Sequence, residues 1–239
     1  MIDLHTHLLP GLDDGPSTMA ESVEMARSMV ADGVRVAAAT PHVRWDFPTT
    51  AERMEYGVSE LAAALADAGV ALELVPGGEL AIDSLPSLSD EKLRRFSLGG
   101  KSRYLLVETP YRGWPVELHE CLHTLRRNGF VPVLAHPERN PDVQRHPELL
   151  EALVAGGVLI QLTAASLDGR LGSASRETAA TLLQRGMAHL VASDAHGPTI
   201  RAAGLSAAQV AIRDPLVWHR LTTEAPQSIL ADAPVWSGL

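Results

Sequence analysis

Val131-Pro132-Val133-Leu134-Ala135-His136-Pro137-Glu138-Arg139 is a run of five apolar residues that turns polar in one step. The run is too short for a helix and too continuous for a half-exposed strand. It reads as a strand buried on both faces. Six further runs share its form, at residues 1–4, 34–39, 72–75, 104–107, 158–162 and 189–192. They recur about every 30 residues, the length of one strand plus one helix.

The segments between carry helix signals. Thr18 with Glu21, and Thr49 with Glu52, form capping boxes ahead of helices that stop near Gly33 and Gly69. Pro115 opens a helix that ends at Asn128-Gly129. Further helices are expected over 146–155, 175–185, 199–212 and 215–230. Repeated strand–helix units imply parallel strands joined by right-handed crossovers. A closed barrel and an open doubly wound sheet both fit that pattern. Residues 76–88 read as a loop and 231–239 as a loosely ordered tail. No linker or repeat divides the chain, so 1–239 is expected to be one domain, with a core over 1–200 and closing helices and tail over 201–239.

Composition narrows the function. The chain has 239 residues, 46% of them apolar and 21% charged, as in ordinary globular proteins. A net charge of −9 argues against a nucleic-acid binder, which needs a basic surface. One cysteine excludes an internal disulfide. No stretch of about 18 apolar residues is present to span a membrane. The first residues lack the basic and apolar regions of a signal peptide, so a cytoplasmic location is expected.

The polar residues carry the chemistry. His5 and His7 follow the first strand, with Asp13 and Asp14 soon after. His42 follows the second, Glu79 the third, and Glu108 closes the fourth. His136 follows the fifth, and Asp194 and His196 the seventh. The sixth ends in Leu162-Thr163 and offers no ligand. In a parallel barrel these carboxyl ends converge on one face, where active sites are built. Imidazole and carboxylate without thiolate suit manganese, iron, zinc or magnesium. Two histidines one residue apart on an extended segment point to the same side and can share one ion. His5, His7, Asp14, His42, Glu79, Glu108, His136, Asp194 and His196 are too many for one tetrahedral ion. They fit two to three divalent ions, with manganese placed first. Such a site would be positive inside an acidic protein and would attract a phosphate monoester dianion.

These motifs, Asp3-Leu4-His5-Thr6-His7, Thr40-Pro41-His42, Gly78-Glu79, Glu108, Ala135-His136-Pro137-Glu138-Arg139 and Ser193-Asp194-Ala195-His196, resemble the polymerase-and-histidinol-phosphatase family from the start of the chain to about residue 200. Leu9-Pro10-Gly11-Leu12-Asp13-Asp14-Gly15-Pro16 is similar to its branch of bacterial metal-dependent protein-tyrosine phosphatases tied to capsule and exopolysaccharide loci. The resemblance implies a distorted, TIM-like seven-stranded (β/α) barrel with a three-metal site at the carboxyl ends of its strands. One ion would take His5, His7, Glu79 and Asp194. A second would take Glu79 as a bridge, Glu108 and His136. The third would take Asp14, His42 and His196. Arg139 and Arg201 fall where the branch grips phosphate, and Arg44 is a weaker third. Val43 and Thr163 depart from the common pattern. The implied reaction is attack by a metal-bound hydroxide on phosphotyrosine in a protein, the tail of a bacterial tyrosine kinase of capsule synthesis. A histidinol-phosphate-type phosphatase, a noncatalytic metal-binding regulatory domain and a metal-dependent amide hydrolase are the alternatives.

Other signals carry bland readings. Cys121 and Arg127 have the spacing of cysteine-dependent phosphatases but lie within an expected helix, whose amides are already spent. His119 and His123, four apart, read as a solvated helix face. His146, His189 and His219 read as cap, core or surface. Trp45 and Trp114 are candidates to flank the mouth and stack on a phenyl ring.

Overall fold

Each apolar run becomes a strand, and every strand pairs with its neighbours in parallel. The computed structural model describes residues 1–197 and 202–235. Its strands are β1 (Ile2–Thr6), β2 (Val36–Ala39), β3 (His42–Val43), β4 (Glu73–Pro76), β5 (Glu79–Ala81), β6 (Tyr104–Glu108), β7 (Val131–Ala135), β8 (Leu159–Thr163) and β9 (Leu190–Ala192). They form a three-stranded sheet, β1-β2-β4, and a six-stranded sheet, β3-β5-β6-β7-β8-β9. The helices lie between strands in sequence: α1 (Met19–Ala31), α2 (Ala51–Asp67), α3 (Asp90–Arg95), α4 (Leu118–Arg127), α5 (Pro141–Arg145), α6 (Glu151–Ala155), α7 (Ala164–Leu167) and α8 (Ser173–Gln184). After β9 come α9 (Pro215–His219) and α10 (Ala225–Leu230). The fold is α/β with parallel sheets.

Alternation along each strand sorts side chains into two cores. Leu105, Val107, Leu134, Ile160 and Leu162 face the large cluster shared with the helices. Leu4 and Ala38 from one sheet and Tyr104, Leu106, Val133, Ala135, Leu159 and Leu190 from the other form a smaller cluster. Both sheets therefore face each other across it. Ile229 of α10 is buried in the same cluster. The sheets also meet beyond β9, where His7 N–H donates to Ala195 O and Asp194 N–H to His5 O, each at 2.9 Å.

Two expected strands continue past an interruption. Pro41, with no N–H to give a ladder, separates β2 from β3. Gly77-Gly78 separates β4 from β5, and a Cβ on Gly78 would lie 2.7 Å from the Phe96 ring. The expected loop over 76–88 is thus replaced by β5 and a 3₁₀ turn over Ile82–Ser87. The Thr18–Glu21 capping box is present. The second helix is capped one residue later than expected, by Thr50. The helix expected from Pro115 begins at Leu118, and the one expected over 146–155 divides into a 3₁₀ turn, Pro147–Leu150, and α6. Of 199–212, the described part holds only a 3₁₀ turn over Ser206–Val210. The tail is tied down as far as it is described. Tyr104 OH donates to Ala233 O at 2.6 Å and Arg103 N–H to the Asp232 carboxylate at 2.8 Å. No helix among the described residues is long and apolar enough to cross a membrane.

Candidate metal centre

All nine candidate ligands converge at the carboxyl ends of the strands. Their donor atoms form four overlapping groups: His7, Asp14, His42 and His196; His5, Glu79 and His136; His5, His7 and Asp194; and His42, Glu79 and Glu108. Within each group the atoms lie within 4.8 Å of one another. Glu79 is the hub. Its carboxylate is 2.9 Å from His136 Nε2, 2.8 Å from His42 Nδ1 and 3.3 Å from both His5 Nε2 and His7 Nε2. Asp194 Oδ1 approaches His5 Nε2 at 3.4 Å and His7 Nε2 at 3.3 Å. Asp14 Oδ1 reaches His196 Nε2 at 3.1 Å and His42 Nε2 at 3.4 Å. The interrupted strands explain part of this placement, because β3 and β5 each open on a candidate ligand, His42 and Glu79.

The backbone is bent to the same end. His136 (φ 35°) and Asp194 (φ 52°) are left-handed without being glycine. Such conformations cost about 1–3 kcal/mol and gather at functional sites. The His136 turn is anchored by Glu138, whose Oε1 accepts from Thr163 N–H at 2.9 Å and Ser166 Oγ at 2.7 Å. Burial pushes the Glu138 carboxyl up to about 6.

The donor set fits divalent cations. Glu79 Oε2, Glu108 Oε1 and both ring nitrogens of His42 are buried without a hydrogen-bond partner. Buried polar atoms left so are costly and call for a partner. Charge points the same way. Burial and the Glu79 carboxylate push Glu108 up to about 7. His42 rises to about 9 against its burial, through Asp14 and Glu79. His136 falls to about 4, through burial and the Arg139 charge.

Two residues outside the expected set orient the histidines. Asp13 Oδ2 accepts from His7 Nδ1 at 2.6 Å and from His42 N–H at 3.0 Å, and its Oδ1 accepts from Gly15 N–H at 3.0 Å. Gln161 Oε1 accepts from His5 Nδ1 at 2.9 Å. Both acceptors leave Nε2 as the lone-pair nitrogen, directed at Glu79 and Asp194. The sixth strand, expected to contribute nothing, thus contributes Gln161. Its signal was a polar residue on the inward face of an apolar strand.

Of the expected arginines, Arg139 lies at the edge of the cluster, with Nη1 2.5 Å from Asp194 Oδ2. Arg44 sits 2.7 Å from Asp46 and 3.7 Å from Glu108. Arg201 lies outside the described residues. Trp45 stands exposed at a cleft beside Glu108. Trp114 is partly buried and packs against the large core. Cys121 is on α4, and burial with Glu120 and Glu117 pushes its thiol up, away from reactivity. His119 and His123 are exposed on α4 outside the four groups. His146 and His219 are surface residues beside Glu148 and Glu224. His189 is buried, and its Nδ1 accepts from Ile160 N–H at 3.0 Å.

Residues 1–231 match the family model described as capsular polysaccharide synthesis, CpsB/CapC. The tyrosine-protein phosphatase YwqE of Bacillus subtilis is 34% identical over 202 residues, covering 84% of this chain and 79% of that protein. The putative tyrosine-protein phosphatase CapC of Staphylococcus aureus is 31% identical, covering 84% and 79%. The fold matches one chain from the crystal structures of B. subtilis YwqE and Streptococcus pneumoniae CpsB, unique metal-dependent tyrosine phosphatases. That match has a TM-score of 0.89 at 30% identity and covers 99% of this chain and 96% of that one. The phosphotriesterase of Mycobacterium tuberculosis, at 14% identity and TM-score 0.57, shares the fold alone. With nearly its whole length matched, this chain belongs to the CpsB/CapC family of capsular polysaccharide synthesis.

Proposed function

We propose that this chain is a metal-dependent protein-tyrosine phosphatase whose substrate is a phosphorylated bacterial tyrosine kinase of capsule or exopolysaccharide synthesis. The observation that carries the reading is the convergence of nine imidazole and carboxylate donors, three of which, His42, Glu79 and Glu108, hold buried polar atoms without a hydrogen-bond partner. The relatives' activity supports the reaction class. In this reading His5, His7, Glu79 and Asp194 hold one ion. Glu79 bridges to a second with Glu108 and His136, and Asp14, His42 and His196 hold a third. Manganese is placed first. The chain works as one cytoplasmic domain. Taking β2 with β3 and β4 with β5 as single interrupted strands gives seven, and the Thr6–Ala195 bridge is the seam that would close them into a barrel.

The ions would supply Lewis acidity and acidify a water molecule at neutral pH. The chain's own residues do the rest. Asp13 and Gln161 hold the imidazoles in the ligating tautomer. Arg139, anchored at the cluster edge, presents a planar fork to phosphoryl oxygens, which lysine cannot match. Arg201 takes the same role from outside the described residues. Tyrosinate, with a pKa near 10, leaves without a general acid.

Metal content, followed by phosphate release from a phosphotyrosine peptide and from histidinol phosphate with and without Mn²⁺, tests the reading. Two to three ions per chain and metal-dependent release from the peptide are expected. Preference for histidinol phosphate would replace it with a small-molecule phosphatase. Metal without turnover would make the chain a metal-binding regulatory domain.

A further inference from the structure

We infer that the cleft beside Glu108 is an aryl-recognition subsite whose inner wall is Tyr111 and whose outer wall is Trp45. The inference rests on the phosphatase reading and says which phosphate esters the site selects.

The cleft has a volume of about 290 Å³ and is lined by Arg44, Trp45, Ile82, Glu108, Pro110 and Tyr111 among others. It therefore opens directly beside a candidate metal ligand. Trp45 is 83% exposed and Tyr111 46% exposed, and both rings line this one cleft. Tyr111 is also tied to the phosphate-gripping arginine. The Arg139 guanidinium lies 5.3 Å from the Tyr111 ring centroid, and its Nη2 donates to the Tyr111 hydroxyl at 3.4 Å. The loop that carries Tyr111 is held to the Arg139 turn by Asn140, whose Nδ2 donates to Pro110 O at 3.0 Å and Gly113 O at 3.1 Å.

These contacts set ring and guanidinium in one frame. A phosphoryl group held between Arg139 and the cluster places the group esterified to it beside the Tyr111 ring, on the part that Arg139 leaves exposed. A phenyl ring there gains an aromatic pair and sheds water from Tyr111 and Trp45. An alkyl chain gains less, because it has no π face. The apolar part of the cleft is the two rings with Ala81, Ile82 and Pro110, and it stands among the charged Arg44, Asp46, Asp83 and Glu108, so ring contact is what an aryl group gains there over an alkyl one.

The test is calorimetric binding of phenylphosphonate and methylphosphonate, neither of which is hydrolysed, to the Mn²⁺-loaded protein. Wild type should prefer the phenyl ligand. Tyr111→Ala should reduce that preference roughly three- to tenfold, the size of one aromatic pair, whereas Tyr111→Phe should keep it. Loss of the Tyr111 hold on Arg139 weakens both ligands and cancels in the ratio. Trp45→Ala, at an exposed position that does not endanger folding, should reduce the preference at least twofold. No preference in wild type, no binding of either ligand, or an unchanged ratio in both alanine variants overturns the inference. Its failure is separable from that of the phosphatase reading. A protein that releases phosphate from the peptide but binds both phosphonates equally sinks only the subsite. One that prefers phenylphosphonate but releases no phosphate sinks only the reaction.

Discussion

Replacing Asp13 with asparagine is expected to loosen the metal centre without touching a ligand. The Asp13 carboxylate accepts three hydrogen bonds, from His7 Nδ1, His42 N–H and Gly15 N–H. An asparagine amide has one oxygen and one NH₂, so in either orientation the NH₂ faces a donor. If it faces Gly15, one N–H loses its acceptor and the His7 bond loses its charge assistance. If it faces His7 and His42, the His7 ring is driven to carry its proton on Nε2, where the metal lone pair is needed. An unsatisfied buried donor costs about 1–3 kcal/mol. At this size each kcal/mol lowers Tm by about 2–4 °C. Loss of a partner behind a ligating histidine lowers metal affinity about 10–100-fold, or about 1.4–2.7 kcal/mol. Mn²⁺ titration by calorimetry, with thermal unfolding in chelator, reads both effects. A variant with wild-type folding and an unchanged Kd would refute the orienting role of Asp13.

Arg139→Ala should lower kcat/KM on a phosphotyrosine peptide roughly 10²- to 10³-fold, as for loss of one charge-stabilising donor; unaltered kinetics would reduce Arg139 to its pairing with Asp194. Gly78→Ala would set a Cβ 2.7 Å from the Phe96 ring and 3.2 Å from Val43. Overpacking of that kind costs about 1–3 kcal/mol. Because Glu79 is the next residue, chemical denaturation should show the loss together with weaker metal binding. His189 gives a pH test. Burial holds it down to about 4, below its unfolded value near 6.5. The unfolded chain takes the proton first as pH falls from about 6.5 to 4, so stability drops over that window and is flat above it, by up to about 3 kcal/mol. His189→Leu should be less stable at pH 7, having lost the acceptor for Ile160 N–H, and should close the gap toward pH 4. Parallel curves for the two proteins would refute the assignment.

The nine donors were legible because metal chemistry admits few residue types and a parallel fold admits one place for them. Strand ends could be located from apolar runs alone; the first polar residue past four of the seven runs was a donor, His5, Glu79, Glu108 or His136, and His42 and Asp194 stand two residues beyond Thr40 and one beyond Ser193. The residues that orient those donors were harder to read, and for different reasons. Asp13 and Asp14 are neighbours, and although Asp14 was singled out as a candidate ligand, nothing local says that Asp13 backs a histidine. The fold shows it, placing Asp13 Oδ2 against the His7 ring and Asp14 beside His42 and His196. Gln161 was readable in principle. In Leu159-Ile160-Gln161-Leu162-Thr163 it alternates with Ile160 and Leu162 and shares the inward face with Leu159. A polar side chain at such a position must be paired. β3 and β5 were invisible because two or three residues carry no period, and Pro41 and Gly77-Gly78 imitate the end of a strand. Those interruptions are what turn His42 and Glu79 into the cluster. A binary apolar pattern therefore finds the scaffold and loses the places where it breaks, and in this chain two candidate ligands stand at the breaks.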